Sequence, residues 1–417
     1  MTAVTGSVRT ERPRLDLLAG VIDQGLSSVT NFAPQVSAAL LLAGTGFAHL
    51  SIAFLVTLIG IEVVRALTGE VLLSLPPAGQ PEHGPLSQGD GGFAGRAVAT
   101  VATLTVALSG VTIAGALVLA DGDLRRAVVA GATIAPIVAL QDVWRFVGFS
   151  TNDLRSVLVN DALWCIALAL AYAVYFAAVR PTTTGLLALW GLSCVPSLVL
   201  MTIRHGVTPS FRSPLLWFRE SHWRGPRYCA EYLADRGSQS IGLLLAGGLS
   251  GAVVVSTVRG CQLLAGPVLV LVAGLSFVLA PQAARVNARE SDMLNRWIVV
   301  RSLTLAATAS LAVLALTVVP RSIGVHVLGD VWAQAAAMRA PLVVYIATGS
   351  IAVVLRLGVR AKGGERKSLR MRRVLFPVLL AAPVLGARAG AASGCMWGVA
   401  IATALVMASW IFVFATT

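Results

Sequence analysis

Residues 95–120 read GRAVATVATLTVALSGVTIAGALVLA, a run of 26 positions in which Arg96, at its entrance, is the sole charge. A helix of about 20 apolar residues crosses the roughly 30 Å of hydrocarbon in a bilayer, and this run exceeds that length. Comparable runs lie on both sides of it. They predict helices at roughly 15–43, 48–74, 95–120, 126–147, 155–179 and 184–204, then at 229–251, 253–284, 296–319, 334–357, 373–391 and 394–416. The expected fold is therefore all-α, a polytopic membrane protein of about 12 transmembrane helices. Composition agrees: 56% of the 417 residues are hydrophobic and only 12% charged, against roughly 25% charged in soluble domains.

The net charge of +13 raises the question of nucleic acid. No soluble basic domain exists to bind it, because the basic residues fall mainly in short loops between apolar runs, so nucleic acid is not an expected partner. The clusters Arg204 to Arg236, Arg285 to Arg296 and Arg356 to Arg373 lie on the side that also holds the N-terminal Arg9, Arg12 and Arg14. By the excess of basic residues in cytoplasmic loops, both termini are expected to be cytoplasmic in a bacterial plasma membrane. All but Lys362 and Lys367 of the 32 basic residues are arginine, as a GC-rich genome produces. The first apolar run is too long for a signal-peptide core and is expected to stay as a helix.

Enzymatic chemistry is not expected. The histidines His49, His83, His205, His222 and His326 are far apart and show no metal-binding spacing. Cys165, Cys194, Cys229, Cys261 and Cys395 form no CxxC and sit mostly in apolar stretches as small hydrophobes. No cofactor or metal is implied.

The chain divides into a tail (1–14), an N-terminal six-helix lobe (15–204), a basic link (205–228) and a C-terminal six-helix lobe (229–417). Two connectors differ in kind from the rest. Pro76, Pro77, Pro81, Pro85 and Gly91 mark 75–94 as irregular. The stretch 207–234 mixes Arg212, Arg219, Arg224 and Arg227 with Trp217, Phe218, Trp223, Tyr228 and Tyr232, a composition suited to the headgroup interface. A faint repeat supports two halves: D-x-G-x-x-S occurs at Asp23 to Ser28 and again at Asp235 to Ser240. Two repeated bundles with a substrate path between them are a common transporter plan.

Charges within spans cost about 2.5 to 3.5 kcal/mol at a helix centre and so tend to face a cavity or one another. Arg65 and Arg259 would grip a phosphate with several directed hydrogen bonds. The alternatives are that Arg65 pairs with Glu62 and that Arg259 snorkels from an outer helix end. Asp23 stands in an unusually polar stretch with Gln24, Ser27, Ser28, Thr30 and Asn31, so it either lines water or substrate or is solvated at the helix end. Pro34 in the same helix permits a bend that a gate could use. Asp142 and Arg145 at the end of helix 4, with Asp161 at the start of helix 5, form a charged corner that reads as a structural network or a gating element.

The run Asp23-Gln24-Gly25-Leu26-Ser27-Ser28-Val29-Thr30-Asn31-Phe32, together with Leu140 to Phe146, Val159 to Trp164 and Leu233 to Gly237, resembles the multidrug, oligosaccharidyl-lipid and polysaccharide flippase superfamily. Its closest branch looks like the Wzx-like polysaccharide flippases of actinobacterial type. The resemblance covers roughly residues 15–290; beyond that only helix count and hydropathy match, and the Pro-rich connector is a departure.

The resemblance implies a MATE-like fold of two pseudo-symmetric lobes working by alternating access, with lipid tails left in the bilayer while a sugar-pyrophosphate headgroup crosses a cationic cavity. Helices 1, 2, 7 and 8 would line it, giving Arg65, Arg236, Arg259, Asn31 and Gln239 as substrate-binding candidates and Asp23, Pro34 and Asp235 as coupling or gating candidates. The implied cargo is an undecaprenyl-pyrophosphate type lipid-linked oligosaccharide for surface polysaccharide, and implied partners are membrane lipids and glycosyltransferases or polymer-assembly proteins. The alternatives are a cation-coupled multidrug or small-molecule exporter and a non-transporting scaffold of a polysaccharide assembly complex.

Overall fold

Each apolar run forms a helix, and helix is the one kind of regular structure among the described residues of the computed structural model, namely 13–42, 44–74, 92–151, 153–206, 214–221, 223–288 and 291–417. The connector from Pro76 to Gly91, with Asn152, Arg212, His222, Arg9 and Arg12, lies outside those residues.

The N-terminal half contains α1 (Pro13–Leu41), α2 (Gly44–Ser74), α3 (Gly92–Leu119), α4 (Gly122–Ser150), α5 (Leu154–Ala178), α6 (Thr183–Leu192) and α7 (Val195–His205). The link holds α8 (Pro214–Glu220) and α9 (Arg224–Tyr232). A π-turn at Leu233–Gly237 then leads into the C-terminal half: α10 (Ser238–Ser250), α11 (Ala252–Asn287), α12 (Ser291–Val318), α13 (Arg321–Leu328), α14 (Asp330–Ala337), α15 (Arg339–Ala361) and α16 (Glu365–Ala415).

Among the described residues, nine helical stretches are long and apolar enough to cross a membrane. One of them, within α16, is two spans, because Gly390 and Ala391 leave helical geometry (Ala391 φ 48°) and fold the helix into two limbs. Two more complete the count. α1 has the length but carries the polar stretch around Asp23, and α10 is only 13 residues long without the π-turn and α9 that precede it. Twelve spans result among the described residues. Large apolar side chains such as Val118, Leu119, Val174 and Ile203 are exposed on the outer faces of the bundle, where hydrocarbon rather than water would meet them.

Two expected helices are broken. The sixth span is interrupted at Ser193 and Cys194, because Pro196 has no N–H to donate to the carbonyl of Leu192. Likewise the expected helix at 334–357 splits at Met338 into α14 and α15, since Pro341 cannot donate back to Ala337.

Within the N half, α2 and α3 pack on α4; within the C half, α15 packs on α12 and α16, and α10 on α16. The limbs of α16 approach so closely that a Cβ on Gly386 would stand 2.1 Å from the carbonyl oxygen of Gly394, and one on Gly398 would stand 2.2 Å from that of Ala382. Only hydrogen fits at these positions, as in the small-residue contacts typical of membrane helices.

The halves meet where α11 packs on α1 and α2, and where α13 and α14 touch α1. A Cβ on Gly266 of α11 would collide with the Phe32 ring of α1 at 2.7 Å. Gly329, between α13 and α14, has φ 57° and lies so close to α1 that a Cβ would be 2.4 Å from the Ala39 carbonyl oxygen. These contacts join the halves at the end of the bundle away from the termini, the far end. At the termini end the link is docked rather than free: Trp217 is wholly buried and donates from Nε1 to the Leu67 carbonyl at 3.0 Å, while Arg224 donates to the Ser74 carbonyl at 3.1 Å. Arg96 of α3 pairs with Glu220 at 2.7 Å.

Candidate functional site between the two halves

Three groups of intramembrane charge define the interior, and they differ in sign. The first belongs to the N half. Arg65 of α2 meets Asp142 of α4 with two parallel contacts, Nε to Oδ2 at 2.7 Å and Nη2 to Oδ1 at 2.9 Å, and its Nη1 reaches Glu62 at 2.5 Å. One turn along α4, Arg145 donates to Asp23 of α1 at 2.6 Å and to Asp142 at 3.3 Å, and pairs with Asp161 of α5 at 3.0 Å. Gln141 donates to the other Asp161 oxygen at 3.1 Å. Helical spacing explains the arrangement, since Asp142 and Arg145 fall on one face of α4 and Glu62 and Arg65 on one face of α2.

The sequence candidates Asp23, Arg65, Asp142, Arg145 and Asp161 are therefore parts of one network spanning α1, α2, α4 and α5. Four carboxylates share two guanidiniums. Asp161 is fully buried; Asp23 Oδ1 and Gln141 Oε1 are buried without a hydrogen-bond donor, and Asp161 Oδ2 has only the ion-pair contact with Arg145 Nε, which is not aligned as a hydrogen bond. The network thus carries surplus negative charge in a low-dielectric place, where each carboxylate needs a compensating cation or proton.

The second group is the reverse. Arg259 of α11 donates from Nη2 to Gln35 of α1 at 2.7 Å and from Nη1 to Gln262 at 2.8 Å, while its Nε is buried with no partner. No carboxylate pairs with it among the described residues. Arg259 and Gln35 belong to different halves, so this cation sits on the contact between them. Gln35 in turn donates to the Asn31 carbonyl at 3.3 Å, and Asn31 turns its side-chain amide to the Ser27 carbonyl at 2.8 Å. Pro34 is buried beside them, and α1 stays helical through it. Tyr345 of α15 lies within electrostatic reach of Arg259, Arg236 and Asp235, and so marks the line from the far end to the termini end.

The third group lies on the C half near the termini. Asp235 and Arg236 occupy the π-turn, a rare insertion that is frequent at functional sites. Arg236 is exposed, and Gln239 follows, partly buried, at the start of α10. Asp235 faces Arg356 of α15 and Arg372 of α16. Across from them, Glu70 of α2 is within electrostatic reach of Arg65, Arg236 and Arg360.

Sequence reasoning missed Gln35, Gln262, Arg356 and Arg372. The first two had a signal in their spacing, i+4 from Asn31 and i+3 from Arg259. Arg356 and Arg372 were absorbed into a basic loop cluster, although the tight Gly363-Gly364 turn leaves both on helices. Among the described residues, no group of three or more His, Cys, Asp or Glu is placed to hold a metal.

No family model matches the chain, and no curated protein matches it in sequence. Solved structures do match, over nearly its whole length. The lipid II flippase MurJ, in an inward closed conformation, aligns with a TM-score of 0.62 at 9% identity, covering 97% of this chain and 87% of MurJ. The fold is MATE-like. The eukaryotic MATE transporter AtDTX14 aligns with a TM-score of 0.59 at 15% identity over 97% of this chain and 95% of its own. A MATE protein in a bent conformation gives 0.58 at 14% identity, with coverages of 97% and 95%. The expected two-lobe, all-α membrane architecture is thereby established, and at these identities the likeness speaks to fold.

Proposed function

We propose that this chain is an alternating-access membrane transporter, a flippase that carries an undecaprenyl-pyrophosphate type lipid-linked oligosaccharide across a bacterial plasma membrane, with both termini in the cytoplasm. The carrying observation is Arg259, a half-buried cation on the contact between the halves whose guanidinium rests on two neutral amides. A cation solvated by amides keeps its charge available to an anion, whereas one already paired with carboxylates does not. A pyrophosphate reaching this point would gain charge-assisted hydrogen bonds as it replaced Gln35. That exchange would also release the link between α1 and α11, coupling headgroup arrival to opening of the far end. MurJ, whose fold the chain shares, is a lipid II flippase, which agrees with this reading.

The test is flipping of a fluorescent lipid-linked oligosaccharide by the full chain in proteoliposomes. Arg259→Ala should lose most of the rate while the protein remains monodisperse. Wild-type rates equal to empty vesicles would reject the flippase reading.

A cation-coupled exporter is favoured by a different observation, the surplus carboxylates around Arg145. In that reading Asp23 carries the exchanged proton, and Asp23→Asn abolishes efflux of a cationic dye from vesicles bearing a pH gradient. Dye efflux that ignores this substitution rejects it.

A further inference from the structure

On the C half, the Asp235 carboxylate faces two guanidiniums it does not bond. Arg356 Nη1 and Arg372 Nη1 approach the same oxygen, Oδ2, at 3.8 and 3.7 Å, beyond hydrogen-bond distance. Arg372 is only 13% exposed, its Nε is buried without a partner, and the face of its guanidinium lies 5.8 Å from the centre of the Trp410 ring. Arg356 is also mostly covered. Arg236 and Arg360 add their fields to that of Arg356. One carboxylate thus stands among several guanidiniums, and the Nε of Arg372 is buried with no acceptor, a state that is costly.

The spacing describes what would satisfy them. A carboxylate presents its oxygens in one plane, and here it sits too far away to bond either arginine. A phosphate group is larger and tetrahedral, so it can accept from two guanidinium forks at once. Depth places the site. Arg356 lies about 8 Å before the end of α15, and Arg372 stands at the start of the apolar span that opens at Arg370, so both are at the headgroup level of the termini end. We infer that Arg356 and Arg372, flanked by Trp410 and with Asp235 as a resident competitor, form a binding site for a phosphate group on the C half, separate from Arg259. The phosphate comes either from a lipid headgroup of the leaflet at the termini end or from a free phosphate in solution. Binding here stands apart from the flippase reading, since it requires no movement of the cargo.

The experiment uses the purified full chain with two probes. Inorganic pyrophosphate is titrated calorimetrically into the protein in detergent. Separately, native mass spectrometry of protein released from phosphatidylcholine micelles doped with phosphatidic acid counts retained phosphatidic acid. Binding in the first arm alone assigns a free phosphate as the source, and retention in the second assigns a lipid. In whichever arm binds, R356Q/R372Q should weaken affinity by about tenfold or more, while Arg388→Gln, at an exposed site elsewhere, leaves it unchanged. Asp235→Asn should tighten binding severalfold by neutralising the competitor.

Failure of both probes to bind overturns the site, as does a double variant that binds like wild type. Should the double variant not fold, Asp235→Asn alone decides: unchanged or weaker binding overturns the site. A chain that binds in these assays but flips nothing rejects the flippase reading and leaves this site standing. One that flips normally, with binding indifferent to Arg356 and Arg372, does the reverse.

Discussion

Arg65 and Asp142, 77 residues apart, meet through two parallel hydrogen bonds of 2.7 and 2.9 Å that clamp α2 to α4. With Glu62 on its remaining terminal nitrogen, Arg65 is held by carboxylates on every side that bonds. A ligand anion must displace those partners before it gains anything. We therefore expect Arg65→Ala mainly to destabilise the fold, by about 3 to 5 kcal/mol as when one partner of a buried pair is removed. Arg259→Ala should leave thermal unfolding nearly unchanged and lower flipping by tenfold or more. Measuring both quantities on both variants separates the roles; equal flipping defects at equal stability would contradict the assignment.

Arg145 supplies a second asymmetry. It is the common partner of Asp23, Asp142 and Asp161, so Arg145→Ala leaves three buried carboxylates to repel one another. Asp161→Asn instead removes one surplus negative charge and keeps a side chain of the same shape. Unfolding in detergent, followed by tryptophan fluorescence, should show Arg145→Ala losing about 3 to 5 kcal/mol and Asp161→Asn under about 1 kcal/mol.

Gly329 tests the contact at the far end. Its φ of 57° and its approach to the Ala39 carbonyl leave no space for a side chain. Gly329→Val should push α1 from the α13–α14 turn. Spin labels on cysteines placed at the exposed positions Leu40 and Val327, in an otherwise cysteine-free protein, should then report a longer and broader distance distribution than with glycine present.

At the start of α5, Asp153 accepts from the Ser156 N–H at 3.1 Å and from the Ser156 hydroxyl, and Arg204 stands 3.5 Å away. The hydroxyl bond first, then the N–H bond and Arg204, hold this carboxyl below its ordinary value of 3.8. A carboxyl lowered by folding stabilises the fold above its unfolded value, and that contribution is lost as pH falls through the folded one. Asp153→Ala should cost about 1 kcal/mol at neutral pH. The gap from wild type should narrow as the pH of the unfolding assay falls below 3.8.

The twelve spans were legible because bilayer thickness imposes one length on every run, and a local average of hydropathy is enough to see it. What escaped was interruption. Pro196 and Pro341 are the local signals of the breaks at Cys194 and Met338, but a hydropathy average over a whole span passes over a single proline. Partner identity was legible only within a helical turn. Arg65 with Glu62 and Asp142 with Arg145 follow from spacing, but nothing local says that Arg145 reaches Asp23, 122 residues away, or that Arg259 reaches Gln35, 224 residues away. Arg372 illustrates a third limit: a basic residue beside a loop looks solvated until a Trp410 from the returning limb is seen against it.

The back-to-back glycines of α16 carry a mechanical consequence. With backbone against backbone at Gly386, Gly394 and Gly398 near the turn, and Leu375 and Leu379 of one limb packed with Ala402 of the other farther along, the two limbs cannot slide or splay independently. They form a single stiff tine. Arg372 on one limb and Trp410 on the other therefore travel together, so any rocking of the C half delivers the guanidinium and its aromatic backing as one preassembled tool.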